Sequence, residues 1–317
     1  MVAGTAYAGL GLYACENLQT PRKALSKRSK APFFKLSLAQ WSLHRAIENQ
    51  TLNPYDFAQK AKELGFEGIE YVNALYPDVM QAKDKPSALK NFTTQSNEAA
   101  KTHSVKNVLI MIDGEGDLAV SDKNERTLAI ENHKRWIEAA AEMQCHAIRI
   151  NLFGERNPNA WIAQASESMN ALGEFAHTHN INVLVENHGY LSSNAALVMQ
   201  MLEQVQHPNC GTLPDFGNFC LERDGGARWD GDCIQEYDRY LGVKELLPKA
   251  FAVSAKAHDF DDNGNEIHTD YTRMLQLVKD AGYSGYIGVE YEGDRLSEID
   301  GITATKNLLL ASAEKLI

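Results

Sequence analysis

The sequence predicts one α/β domain folded as a (β/α)8 TIM barrel. Three observations carry this expectation. Eight short β-branched or aliphatic runs follow one another from Phe33 onward. Amphipathic stretches with three- and four-residue apolar spacing lie between them, the mark of βα units rather than of a β-sandwich. The runs begin roughly 30 to 40 residues apart, the length of one strand, one helix and two loops in such a barrel.

In order, the runs are FFKLSLAQ (33–40), GFEGIEYV (65–72), VKNVLIMI (105–112), CHAIRINL (145–152), NINVLVEN (180–187), CGTLPDF (210–216), AFAVSAKAH (250–258) and YSGYIGVEYE (283–292). The helices between them carry readable ends. Asn53-Pro54 places a capping side chain and a first-turn proline ahead of YDFAQKAKEL, and Gly65 stops that helix. Apolar periodicity predicts helices over 126–143 and 159–178. Toward the C-terminus, YTRMLQLVKDAGYSGYIGVEY reads as helix, glycine stop and strand, and ATKNLLLASAEKLI as the closing helix. The segment from Cys220 to Leu247 is too long for an ordinary βα loop and is expected to form a lid or substrate wall.

The chain of 317 residues has 31 Lys+Arg against 42 Asp+Glu, a net charge of −11, and is 44% hydrophobic. That balance suits one globular core and repels phosphate backbones, so no nucleic-acid partner is expected. No apolar run reaches the roughly 18 residues of a membrane span. The first fifteen residues, MVAGTAYAGLGLYAC, are nonetheless small and apolar, and Leu12-Tyr13-Ala14-Cys15 resembles a bacterial lipobox. Residues 1–31 are therefore read as a truncated export or lipoprotein signal followed by a basic tether, and 32–317 as the catalytic barrel. A lipid anchor at Cys15 and a periplasmic or membrane-attached protein follow from that reading; a cytoplasmic protein is the alternative. The five cysteines show no CxxC spacing, so neither a zinc ribbon nor a dense disulfide scaffold is expected.

Alternate residues of a barrel strand face the interior, and the last of them meets the mouth at the C-terminal end. By parity, Leu184 and Glu186 share a face on the fifth run, and Leu213 and Asp215 on the sixth. Ser254, Lys256 and His258 share one on the seventh, and Gly288, Glu290 and Glu292 on the eighth. Four successive strands thus deliver ionisable groups to one end. Converging carboxylates repel unless a cation or shared protons offset them, and the simplest resolution is a divalent metal. A mixed carboxylate–imidazole set suits Mn²⁺ first, with Mg²⁺, Co²⁺ or Zn²⁺ as alternatives. Such an ion polarises a carbonyl and stabilises an enediolate while a neighbouring Glu takes the adjacent proton.

From Phe33 to the C-terminus the chain resembles the sugar isomerase/epimerase family with the xylose isomerase-like barrel. The resemblance rests on VLVENH around Glu186, LPDFGNF around Asp215, VSAKAHDFDDNG around Lys256 and His258, and GYIGVEYEG around Glu290. It implies metal ligation by Glu186, Asp215, His258 and Glu290, with the two glutamates shuttling the proton. Many relatives carry the seventh-strand ligand in an H-A-K-like triplet. The equivalent here can be Ser254-Ala255-Lys256, which puts serine in the ligand position, with His258 of like parity as its substitute. Epimerases of the family commonly show His three residues after the sixth-strand Asp, where this chain has Asn218, so a substrate contact or proton route is altered.

His188, Asn218, Lys256, Glu70 and Asn151 complete the expected substrate-binding set, and Gln40 is a further amide suited to hydroxyls. Lys256 is equally readable as an ion-pair partner, His188 as a group orienting a ligand, and Glu292 as a partner of Arg295. The Asp113-Gly-Glu-Gly116 loop is a candidate pocket wall. The expected activity is a metal-dependent sugar or keto-sugar isomerase or epimerase, with elimination from 3-keto-glycosides or inososes as the runner-up lyase reading. A sugar-binding barrel without turnover is a third reading. Endonucleases of this fold need a His-rich zinc cluster and a basic face, and the sequence shows neither. The oligomeric state stays open, a homo-oligomer included.

Overall fold

A computed structural model describes residues 1–5, 31–226 and 228–316. The chain divides into two units, 1–30 and 31–317. Cys15 and the basic residues that follow it lie outside the described residues, so the lipobox reading does too. No helix among the described residues is long and apolar enough to cross a membrane.

The eight expected runs are strands: β1 (Lys35–Ala39), β2 (Gly68–Val72), β3 (Lys106–Met111), β4 (Ala147–Ile150), β5 (Asn182–Glu186), β6 (Cys210–Leu213), β9 (Val253–Ala257) and β10 (Tyr286–Tyr291). Between β6 and β9 the chain adds a short antiparallel hairpin, β7 (Cys220–Arg223) with β8 (Cys233–Glu236). The eight-stranded sheet runs β6-β5-β4-β3-β2-β1-β10-β9 with every pair parallel. Its two ends meet through parallel bridges from Thr212 to Ala250 and from Asp215 to Ser254. The Ser254 amide donates to Pro214 O at 2.9 Å and Phe216 N donates to Ser254 O at 3.1 Å, so the ring is closed beside two residues of the site.

The helices are α1 (His44–Glu48), α2 (Phe57–Glu63), α3 (Pro77–Met80), α4 (Lys85–His103), α5 (Lys123–Glu142), α6 (Pro158–Thr178), α7 (Ala195–Leu202), α8 (Arg239–Leu246), α9 (Tyr271–Asp280) and α10 (Glu298–Glu314). Their starts follow capping chemistry. Asn53 Oδ1 accepts from Tyr55 N in the turn that leads into α2. Helix α5 begins three residues before its apolar periodicity does, because Asp122 Oδ1 accepts from the amides of both Asn124 and Glu125. Such a cap contributes about 1 kcal/mol. Between sheet and helices, Tyr71, Tyr76, Phe92 and Trp136 form an edge-to-face aromatic chain, with Phe92 4.7 Å from Tyr76 and 5.7 Å from Trp136. Gln40, one of the amides read as suited to hydroxyls, is spent within the fold: it donates to Tyr76 Oη and accepts from Val72 N.

The interior of the barrel is polar on one side of β2. Glu70 is buried there rather than lining the mouth. Its Oε1 accepts from Ser37 Oγ at 2.5 Å, and Oε2 has no hydrogen-bond partner among the described residues. Gly288 makes the space, since a Cβ there would lie 2.6 Å from Glu70 Oε2. The expectation that Glu70 meets a sugar hydroxyl does not fit this placement, which is below the rim and closed to solvent. Burial, reinforced by Glu290 and opposed by Ser37, pushes the Glu70 carboxyl up to about 7. The folded state therefore holds a proton that the unfolded chain releases near 4.5. Stability is full below that lower value and falls as pH rises to the upper one, by about 3 kcal/mol. Glu70→Gln keeps an acceptor for Ser37 and removes the titration. In urea denaturation the variant is expected to gain about 3 kcal/mol on the wild type as pH is raised across this interval; a difference that stays flat with pH contradicts the assignment.

Candidate active site

Glu186 ends β5, Asp215 follows β6 and Glu290 lies on β10, and all three are buried. One carboxylate oxygen from each lies within 4.8 Å of the other two. Asp215 is fixed on every side. Its Oδ1 accepts from the amides of Gly217 and Asn218, and Oδ2 accepts from Ser254 Oγ at 2.6 Å. The Asn187 side chain clamps the Asp215 peptide, donating to its carbonyl and accepting from its amide at 2.7 Å. Glu186 Oε1 accepts from Asn218 Nδ2 at 3.2 Å. Arg149 Nε stands 2.8 Å from Glu186 Oε2, but its N–H is not directed at that oxygen, and both atoms are left without a hydrogen-bond partner among the described residues.

Ser254 is the β9 residue at the level of the carboxylates, 2.9 Å from Glu290 Oε2 as well as 2.6 Å from Asp215. A hydroxyl carries one proton, so both contacts are satisfied together when Glu290 is itself protonated and donates to the serine oxygen. The structure does not bring His258 into the cluster. Four residues of extended chain, about 13 Å, separate it from Ser254, and it lines the outer cavity, half-buried. Of the two alternatives for the seventh strand, the serine occupies the position beside the acids.

Two buried cations accompany the acids. Lys256 on β9 lies 3.1 Å from Glu292 and 3.9 Å from Glu290, and Arg149 on β4 pairs with Asp113 at 2.8 Å as well as approaching Glu186. Glu292 therefore reaches the site, and Arg295 pairs with Asp259 instead. Arg149 and Asn187 were not singled out from the sequence. An arginine in the middle of the apolar strand AIRI, sharing parity with Asn151, was the available signal. Asn151 donates to Asp113 and meets His188 Nδ1 at 2.6 Å. His188, Asn151, Asn218 and Lys256 all line the cavity.

Burial pushes Glu186 and Glu290 well above the ordinary carboxylate range, and the neighbouring carboxylates add to it against the pull of Arg149 and Lys256. Burial acts the same way on Glu292, but Lys256 and His258 hold it below its usual value. Desolvation acts the same way on Asp113, half-buried at the cavity wall, but Arg149 and His188 hold it below its usual value. Burial, with Arg149 and Lys256, lowers His188 to about 3, so its ring is neutral. Ionised together, Glu186, Asp215, Glu290, Glu292 and Asp113 outnumber Arg149 and Lys256 by three charges. An all-oxygen donor set with one orphaned buried oxygen fits a hard divalent cation.

The cavity above the cluster measures about 680 Å³. The segment expected to form a lid or substrate wall lines it through Leu221, Glu222, Arg223, Arg228 and Trp229 of the β7–β8 hairpin, as do Asp113 to Asp117 of the loop after β3. A Cys220–Cys233 disulfide joins the two hairpin strands, a pairing the sequence did not suggest. Closing so short a loop removes about 3 kcal/mol of conformational freedom from the open hairpin. Reduction is expected to speed tryptic cleavage at Arg223 and Arg228 several-fold without changing the far-ultraviolet circular dichroism of the barrel. Equal cleavage rates in both redox states would contradict the hairpin's dependence on the disulfide.

Comparison with known proteins agrees with this geometry. The description "Xylose isomerase-like TIM barrel" matches residues 58–313. Among solved structures, a D-tagatose 3-epimerase-like protein superposes with TM-score 0.64 at 18% identity, covering 90% of this chain and 100% of that one. The 3-keto-D-glucoside 4-epimerase from E. coli gives TM-score 0.64 at 14% identity, covering 88% and 99%. The IolI protein with a bound zinc atom gives 0.64 at 13%, covering 90% and 99%. A 55-residue stretch is 36% identical to the C-glycoside deglycosidase alpha subunit of Arthrobacter globiformis, spanning 17% of this chain and only 16% of that protein. Closed parallel barrel, acidic cluster at its rim and matched residues together place the chain in the xylose isomerase-like TIM barrel family.

Proposed function

We propose that the protein is a divalent-metal-dependent isomerase or epimerase of a sugar or keto-sugar, working by proton transfer at a carbon next to a carbonyl. The observation that carries the reading is the convergence of Glu186, Asp215 and Glu290, three buried carboxylates with one oxygen from each within 4.8 Å of the others. These three residues would hold the ion, which supplies positive charge to polarise the substrate carbonyl and stabilise the enediolate. Mn²⁺ or Mg²⁺ suits the all-oxygen set best, and the zinc atom bound in the IolI structure supports a metal on this fold.

The remaining chemistry belongs to side chains of this chain. Glu186 and Glu290 come from strands on either side of Asp215 and Ser254, so one can take a proton from the substrate while the other returns one. Without the ion, burial and the neighbouring carboxylates hold each well above the ordinary carboxylate range, and a divalent cation would draw both down toward the ionised form. Asn218 holds Glu186 Oε1, and Ser254 holds Glu290 Oε2 against Asp215. Lys256, with an ammonium kept charged by Glu290 and Glu292, offers a donor to a substrate hydroxyl or oxyanion. His188 and Asn151, joined to each other and neutral, suit sugar hydroxyls.

Elimination from a 3-keto-glycoside is the second reading, favoured by the short match to a C-glycoside deglycosidase subunit; it shares the same first proton abstraction. We further infer work outside the cytoplasm, which the Cys220–Cys233 disulfide supports because such bonds persist in oxidising compartments. The decisive assay is deuterium uptake from D₂O by keto-sugars and 3-keto-glycosides on the Mn²⁺-loaded protein. Wild type is expected to exchange one carbon-bound hydrogen, and Glu186→Gln and Glu290→Gln each to lose about 1,000-fold in exchange rate with the fold intact. Near-wild-type exchange in either variant would overturn the roles given to these two residues.

A further inference from the structure

We propose that the outer cavity is a subsite for a second ring, so that the physiological ligand is a glycoside rather than a free monosaccharide; this rests on the reading of the site as sugar-processing. Trp229 is the ground for it. The indole projects from the β7–β8 hairpin into the cavity wall, 4.7 Å from the His188 ring and 5.5 Å from Phe153, and the residue is 50% exposed. An exposed indole normally packs loosely, yet the segment carrying it is fastened on three sides. The Cys220–Cys233 disulfide joins the hairpin strands. At the tip, Arg228 pairs with Asp117 at 2.8 Å and lies over the Phe153 ring at 4.2 Å. Beside them, Tyr190 Oη and Arg156 both donate to Gly226 O, with the Arg156 guanidinium stacked 3.6 Å above the Tyr190 ring.

Size supports the same conclusion. A hexose has about twelve heavy atoms, and even at the roughly 30 Å³ that a molecule of liquid water occupies these fill about 360 Å³. The cavity is about 680 Å³, so a monosaccharide against the acidic cluster leaves room for a second ring beside Trp229. The two ends differ in chemistry as well. The inner end offers carboxylates, Lys256 and Asn218; the outer end offers the half-exposed indole of Trp229, which suits the flat apolar face of an aryl group or a pyranose.

The test uses methyl and phenyl β-D-glucoside as unreactive probes, titrated by calorimetry into the full-length protein. Wild type is expected to bind the phenyl glucoside about tenfold more tightly than the methyl glucoside. Trp229→Ala should erase that preference by weakening only the phenyl glucoside, and Trp229→Phe should retain most of it. Equal affinities for the two glucosides in wild type, or a Trp229→Ala variant that weakens both alike or neither, would overturn the subsite. Deuterium exchange into keto-sugars and 3-keto-glycosides by the Mn²⁺-loaded wild type judges the reaction separately: exchange without a phenyl preference refutes the second-ring subsite alone, and a phenyl preference without exchange into any of them refutes the isomerase reading alone.

Discussion

An excess of buried negative charge at the barrel rim governs this molecule. Glu186, Asp215 and Glu290 are brought together where water is scarce, and Arg149 and Lys256 answer only part of their charge and that of Asp113 and Glu292. Desolvation of an unpaired carboxylate costs several kcal/mol, so the arrangement persists only if protons or a cation complete it. The local structure bears the signs of that demand. Asp215 spends both oxygens on amides and on Ser254. Glu186 keeps an oxygen without a hydrogen-bond partner among the described residues, and Glu290 shares a hydroxyl that has a single proton to give.

The barrel makes this charge density affordable. Ring closure between β6 and β9 runs through the backbone of Pro214, Phe216 and Ser254, so Asp215 cannot relax away from Glu290 without opening the sheet. Asn187 pins the same segment from β5. Substrate-facing variety is left to the additions between the strands: the β7–β8 hairpin and the loop after β3, which meet through Arg228 and Asp117. In the proposed function, reaction chemistry sits on the rigid ring and ligand choice on a fastened but separate wall.

Much of this was legible in the residues themselves. Strand parity placed Glu186, Asp215, Ser254, Lys256 and Glu290 on inward faces because the side-chain period of a strand is fixed by its backbone. Parity gives a face but not a depth, and this is where the reading and the structure part. His258 has the right parity and the wrong level, and Glu70 has the right parity but sits beneath the rim against Gly288. Pairing choices were out of reach for a related reason. Whether Glu292 turns to Arg295 or to Lys256 depends on distances across strands that are remote in sequence, and the same holds for Arg149 with Glu186. The Cys220–Cys233 link, inside a segment without periodicity, had no local signal at all.

The central claim is that a divalent ion completes the acidic cluster, and anomalous diffraction from crystals grown with Mn²⁺ tests it most directly. The account predicts a single strong peak bounded by carboxylate oxygens of Glu186, Asp215 and Glu290, with the His258 imidazole outside the coordination sphere. A peak centred elsewhere in the barrel, or a cluster that stays metal-free at saturating Mn²⁺ and neutral pH, would contradict it.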